Sequence, residues 1–162
     1  MAIDVGDKLP AAELLRIGDN GPETVAMPDY VAGRKVVIFG LPGAYTGTCT
    51  TAHVPSFMRV FDDLRDKGID EVICVAVNDP FVMAAWGEAT GAAKVGITFL
   101  ADASGAFAQG MGRVLNAPPV GLLGRSLRYA LVADDGVVQL INDDDNPGVC
   151  DMSGGDAVLE AL

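Results

Sequence analysis

The sequence predicts an α/β fold built on a central mixed β-sheet flanked by helices. Short β-branched runs alternate with amphipathic stretches of helical period, at distances that suit crossover connections. Towards the C-terminus, two further apolar runs flank Asp134-Asp135-Gly136, a turn signal that joins antiparallel strands. No internal repeat or linker divides the chain, so residues 1–162 are expected to form one domain.

The run KVVIFG at 35–40 is the first clear strand, ended by a Leu-Pro-Gly loop. Helical period takes over after Thr50, where Val54, Phe57, Met58, Phe61 and Leu64 form one apolar stripe that stops at Lys67-Gly68. Pro55 lies inside that stripe and is expected to kink the helix. A second strand at 72–77 leads to a helix over 80–90, capped by Asn78 or Asp79. A third strand at 97–100 and a weak helix at 105–111 follow, and the Pro/Gly-rich stretch 116–124 reads as an apolar loop packed on something. Strands at 128–133 and 136–141 make the hairpin, and 157–162 closes the chain as a helix. This succession suits the thioredoxin fold.

The formal charge of −11, from 22 acidic and 11 basic side chains, repels nucleic acid and anionic lipid. No apolar run approaches the roughly eighteen residues of a membrane-spanning helix, and the opening decapeptide mixes Asp4, Asp7 and Lys8 with apolar residues. A cytoplasmic protein with neither membrane nor nucleic-acid partner is therefore expected. The 3 cysteines, Cys49, Cys74 and Cys150, are widely spaced and odd in number, which fits neither a secreted disulfide framework nor a zinc site of close pairs.

Cys49 falls where the loop PGAYTGTC meets the next helix. A sulfur there lies near unpaired N–H groups and the positive end of the helix dipole, a setting that favours thiolate. A buried structural cysteine is the plain alternative.

The motif Pro42-Gly43-Ala44-Tyr45-Thr46-Gly47-Thr48-Cys49 resembles the peroxiredoxin active site in its Pro, Thr and Cys spacing. VPSF at 54–57, EVICVAVNDPFVMAAWGEATGA at 71–92 and RSLRYALVADDGVV at 125–138 extend the resemblance to the type II, peroxiredoxin-5-like branch over nearly the whole chain. The resemblance implies a thiol peroxidase acting on hydrogen peroxide and organic hydroperoxides. Cys49 corresponds to its peroxidatic cysteine, Thr46 to a hydroxyl that bonds thiolate and peroxide, and Pro42 to a shield over the pocket. Arg128, which directly precedes YALVAD, is preferred to Arg125 as the family's arginine. A solvated surface cation is the other fate of either. One departure is Gly47, which stands where the family often has proline and leaves the loop less stiff.

His53, the only histidine, and Gly43 are expected to line or orient the pocket, because two ligands cannot complete a tetrahedral metal site. Cys150, in a mobile-looking acidic loop, and Cys74, inside VICVAV, are both candidates to resolve the Cys49 sulfenic acid as a disulfide. Direct reduction by thioredoxin, or by glutaredoxin and glutathione, is the other route that the resemblance leaves open. The run Asp143-Asp144-Asp145 lacks the glycine and glutamate of a calcium loop and reads as a solvated turn. No nucleotide-binding glycine pattern follows a strand, so no cofactor is implied. The resemblance also implies a homodimer through the active-site face, touching Phe81 or Trp86. Two other readings compete: a redox sensor in which Cys49 is oxidised stoichiometrically, and a disulfide oxidoreductase, which the lack of CxxC disfavours.

Overall fold

Alternating side chains on the central strands decide the layering. Along β3 (Lys35–Gly40), Val36 and Ile38 enter one core while Val37 and Phe39 enter another, so both faces of the strand are buried. The computed structural model describes residues 2–146 and 148–162. In it β3 pairs in parallel with β4 (Glu71–Ala76), and β4 with β5 (Thr98–Ala101). The hairpin of β8 (Tyr129–Asp134) and β9 (Val137–Asp143) adds antiparallel to β3, its turn set by Asp135 and Gly136 at positive φ.

Two strands with weak sequence signals complete the other edge. β1 (Ala12–Gly18) and β2 (Gly21–Met27) form an antiparallel hairpin, and the sheet has 7 strands in the order β2-β1-β5-β4-β3-β8-β9. The mixed sheet is thus as expected, with an N-terminal hairpin added. One face packs α1 (Val54–Asp66), α2 (Pro80–Ala89) and α5 (Gly155–Ala161) around Phe39, Phe57, Trp86 and Val158. The short α3 (Ala92–Val95) follows α2 on that side, and α4 (Ala106–Met111) covers the opposite face through Phe107 and Met111.

Two expectations change. The stretch 116–124 is not an irregular loop: β6 (Val114–Ala117) and β7 (Leu122–Ser126) pair as a separate two-stranded ribbon around Pro118–Val120. Nor does Pro55 kink α1. It sits in the helix's first turn, where a missing N–H is harmless, and the disturbance moves into a π-turn at Cys49–His53. Of the two cap candidates Asp79 does the work, its carboxylate accepting from Val82 N at 2.8 Å.

Candidate active site

The backbone after β3 turns sharply at Gly43–Thr46. Thr46 closes the turn with its own N–H and, at 2.7 Å, with its hydroxyl, both donating to the Gly43 carbonyl. Asn78 holds the turn from the β4 side by accepting from Ala44 N at 2.9 Å. The helix begins at once, with Thr50 N donating to Thr46 O, so Gly47 occupies the first helical position. Proline is well suited to that position, which makes the glycine here a loss of stiffness and not of geometry. The π-turn then bonds Val54 N to Cys49 O, a widened turn of the kind often found at functional sites.

Arg128, at the start of β8, lies 2 % exposed against this turn. Its Nη2 donates to Cys49 Sγ at 3.2 Å and its Nη1 lies 2.8 Å from His53 Nδ1. His53 Nε2 is 2.9 Å from the Ser153 carbonyl. A carbonyl can only accept, so the proton sits on Nε2 and Nδ1 presents its lone pair to the guanidinium. Burial, reinforced by the Arg128 charge, lowers the His53 pKa to about 3. The imidazole is therefore neutral at physiological pH and serves as an acceptor that aims Arg128 at the sulfur. The guanidinium thus sets a full positive charge and an N–H donor against the sulfur.

The ribbon of β6 and β7 supplies Leu115 and Leu122 to a cleft of about 380 Å³ that also takes in Pro42, Thr46, Thr48 and Arg128. The apolar stretch thus packs over the site. Cys49 itself has no exposed surface. The cleft is lined by Arg128, which donates to the sulfur, and by Thr46. Thr46 donates to Gly43, which leaves its oxygen lone pairs to accept from a peroxide O–H. Pro42 lines the cleft as expected, while Gly43 matters for what fits against it. A side chain there would collide with Arg125, whose Nη1 donates to Pro42 O at 3.3 Å. Both arginines thus serve the site, Arg128 at the sulfur and Arg125 at the loop.

The two other thiols differ sharply. Cys74 sits in β4, hydrogen-bonded in register between Phe39 and Phe99 of its neighbours, and burial pushes its pKa well up. Cys150 lies half-buried in the segment 148–155, which folds back over the π-turn. Among the described residues, helix side chains tie that strap down: Thr48 Oγ1 donates to Gly148 O, His53 to Ser153 O, and Ser56 Oγ accepts from Gly155 N. Burial raises the Cys150 pKa against the pull of the Arg128 charge.

Sequence reasoning missed several contributors. The acidic run is not a solvated turn: Asp143 pairs bidentately with Arg113 at 2.7 and 2.9 Å, and Asp144 binds the strap. Trp86 was expected at a subunit contact, but it is fully buried, its Nε1 donating to Thr50 Oγ1 at 3.1 Å. Phe81, the other residue expected there, is 65 % exposed. Among the described residues no helix is long and apolar enough to cross a membrane.

Comparison with known proteins agrees with this geometry. The Redoxin family profile matches residues 4–159. Peroxiredoxin-2D of Arabidopsis thaliana is 41 % identical over 161 residues, covering 99 % of this chain and 98 % of the relative. Reduced Prx3 of Vibrio vulnificus in complex with hydrogen peroxide superposes with a TM-score of 0.91 at 38 % identity, over 98 % of each chain. A Burkholderia cenocepacia structure described as a thioredoxin reductase superposes with a TM-score of 0.93 at 43 % identity, over 100 % of this chain and 99 % of that one. The last description stays with that protein, since this chain carries no CxxC pair. The buried thiol, its arginine and the full-length likeness converge: the chain belongs to the redoxin family, and it is a thiol peroxidase of the type II, peroxiredoxin-5-like branch on the thioredoxin fold.

Proposed function

We propose that Cys49 is the nucleophile that reduces hydrogen peroxide and alkyl hydroperoxides, and that Cys150 then resolves the product. The Cys49 thiolate attacks the peroxide oxygen that carries the proton, an S–O bond forms as the O–O bond breaks to give the sulfenic acid, and the departing alkoxide or hydroxide takes a proton from water to leave as alcohol or water. Arg128 stabilises charge on the sulfur before attack and on the leaving oxygen during it, while Thr46 accepts a hydrogen bond from the peroxide O–H and orients the O–O bond. The observation that carries this reading is the 3.2 Å contact from Arg128 to Cys49, braced from behind by His53. Loss of catalytic turnover in Cys49→Ser, with dithiothreitol as donor, is the expected result; turnover surviving there refutes it.

Cys150 is the better resolving candidate because it lies half-buried in a strap outside the sheet, whereas Cys74 is fully buried in a central strand. Once the strap swings, the Cys150 thiolate attacks the sulfenic sulfur, forming the disulfide and releasing water. A dithiol protein such as thioredoxin, or glutaredoxin with glutathione, then returns both thiols. In Cys150→Ser, one equivalent of peroxide is expected to leave Cys49 as a dimedone-reactive sulfenic acid, with no intramolecular disulfide by peptide mapping. A Cys49–Cys74 disulfide in the unmodified protein would reverse the assignment.

A homodimer through the active-site face fits the exposed apolar rim of Tyr45, Phe81, Val120 and Leu123, large side chains on the loop, on α2 and on the ribbon. Three unbridged thiols suit a reducing compartment such as the cytoplasm.

A further inference from the structure

We propose that Asp144 is a positioning residue for peroxide attack, fixing through Ser153 and His53 the guanidinium that faces Cys49. The inference rests on the reading of Cys49 as the peroxide-reactive thiol. It comes from hydrogen bonds that close a ring on Arg128. At one end, Asp144 N donates to the Arg128 carbonyl at 3.3 Å, beyond the last pair of β8 and β9. At the other, the Asp144 carboxylate gathers the strap. Oδ1 accepts from Met152 N at 2.8 Å, and Oδ2 accepts from Ser153 N at 3.3 Å and from the Ser153 hydroxyl. Asp151 N also points at both oxygens, at 3.2 and 3.3 Å.

Ser153, so held, has no exposed surface, and its carbonyl receives the His53 Nε2 proton. His53 is equally buried, wedged beside Phe39 and Phe57 with ring centroids 5.0 and 5.7 Å away, so it has little room to rotate. Its Nδ1 lone pair meets Arg128 Nη1, and the adjacent Nη2 meets the sulfur. A guanidinium is a rigid planar fork, so fixing one nitrogen sets the direction of the other. The carboxylate is thus four hydrogen bonds from the sulfur, through Ser153, His53 and Arg128, and it reaches the same arginine by its backbone. Burial opposes ionisation of Asp144, but the hydrogen bonds from Ser153 and the strap N–H groups outweigh it and hold its pKa below the usual carboxylate range. The anion is therefore present wherever the enzyme works.

Asp144→Asn is the test, because an amide nitrogen cannot accept from Ser153 as the second carboxylate oxygen does. It is best made in a Cys150→Ser background, where resolution cannot obscure the first step. Orienting partners of reactive groups commonly carry factors of about ten to a hundred. The second-order rate of Cys49 with hydrogen peroxide at pH 7 is expected to fall at least about tenfold, and its rate of alkylation by iodoacetamide at the same pH to fall with it. The same substitution in Arg128→Met is expected to change neither rate, because the effect runs through the guanidinium. Ser153→Ala, which keeps the backbone contacts, gives a milder loss of the same kind and serves if Asp144→Asn does not fold. An unchanged peroxide rate in both variants, even with lowered stability, or an equal loss with and without Arg128, overturns the proposal. Failure of the Cys150→Ser parent to react at Cys49 refutes the underlying peroxidase reading instead.

Discussion

Arg128→Met is expected to slow oxidation of Cys49 by peroxide about 10²–10³-fold, the usual cost of removing one donor aimed at developing charge. The side chain is fully enclosed, its two terminal nitrogens each have a partner, and one of those partners is the reacting sulfur. Lysine restores the charge but not the fork. A single ammonium cannot donate to His53 Nδ1 and to Cys49 Sγ along the directions the guanidinium uses, so Arg128→Lys is expected to recover only part of the loss. Methionine also leaves the buried Nδ1 without a donor, which costs about 1–3 kcal/mol of stability. Urea denaturation beside the peroxide rates separates the two effects. A variant destabilised by that amount but oxidised at the normal rate would show that Arg128 is structural alone.

The second large effect is acid sensitivity through His53. An exposed imidazole takes up a proton near pH 6.5, whereas the folded chain holds off that proton until about pH 3. Between those values the unfolded state binds the extra proton, so stability rises with pH and is complete above about 6.5. On acidification it is lost through that window, by at most about 1.4 kcal/mol per pH unit. His53→Asn keeps an acceptor towards Arg128 but cannot titrate. Its unfolding midpoint is expected to fall less steeply between pH 6.5 and 3 than that of the unsubstituted protein. Parallel curves would mean that the histidine is not held neutral.

What the sequence revealed, and what it hid, follows from where each signal resides. The inner strands were legible because both faces are buried and read as unbroken apolar runs, as in KVVIFG. The β1–β2 hairpin lies at the sheet edge, and only Leu14 of β1 is fully enclosed, so no clean alternation marks it. The ribbon 114–126 carries two prolines and alternates half-buried with exposed positions, which resembles a loop until its covering of the cleft is seen. Cys49, Thr46 and Pro42 lie within one short motif and could be placed by its resemblance to the peroxiredoxin active site. Arg128 was reached through its strand. Asp144 could not be found that way, because its partners lie seven to nine residues on, in a strap whose return path is set by tertiary contacts. Trp86 misled for a related reason: its large apolar body fills the core, and its one polar atom finds Thr50 beside the nucleophile.

The position of Trp86 also supplies the most direct measurement. It is the only tryptophan in the chain and is hydrogen-bonded to the residue that follows Cys49. On mixing the reduced Cys150→Ser protein, which cannot form the resolving disulfide, with hydrogen peroxide in a stopped-flow instrument, its fluorescence should change in a single phase. The rate of that phase should rise linearly with peroxide, and peptide mapping should place the first oxidised sulfur at position 49. Fluorescence that does not respond, with the first oxidation mapped to Cys74, would contradict the account.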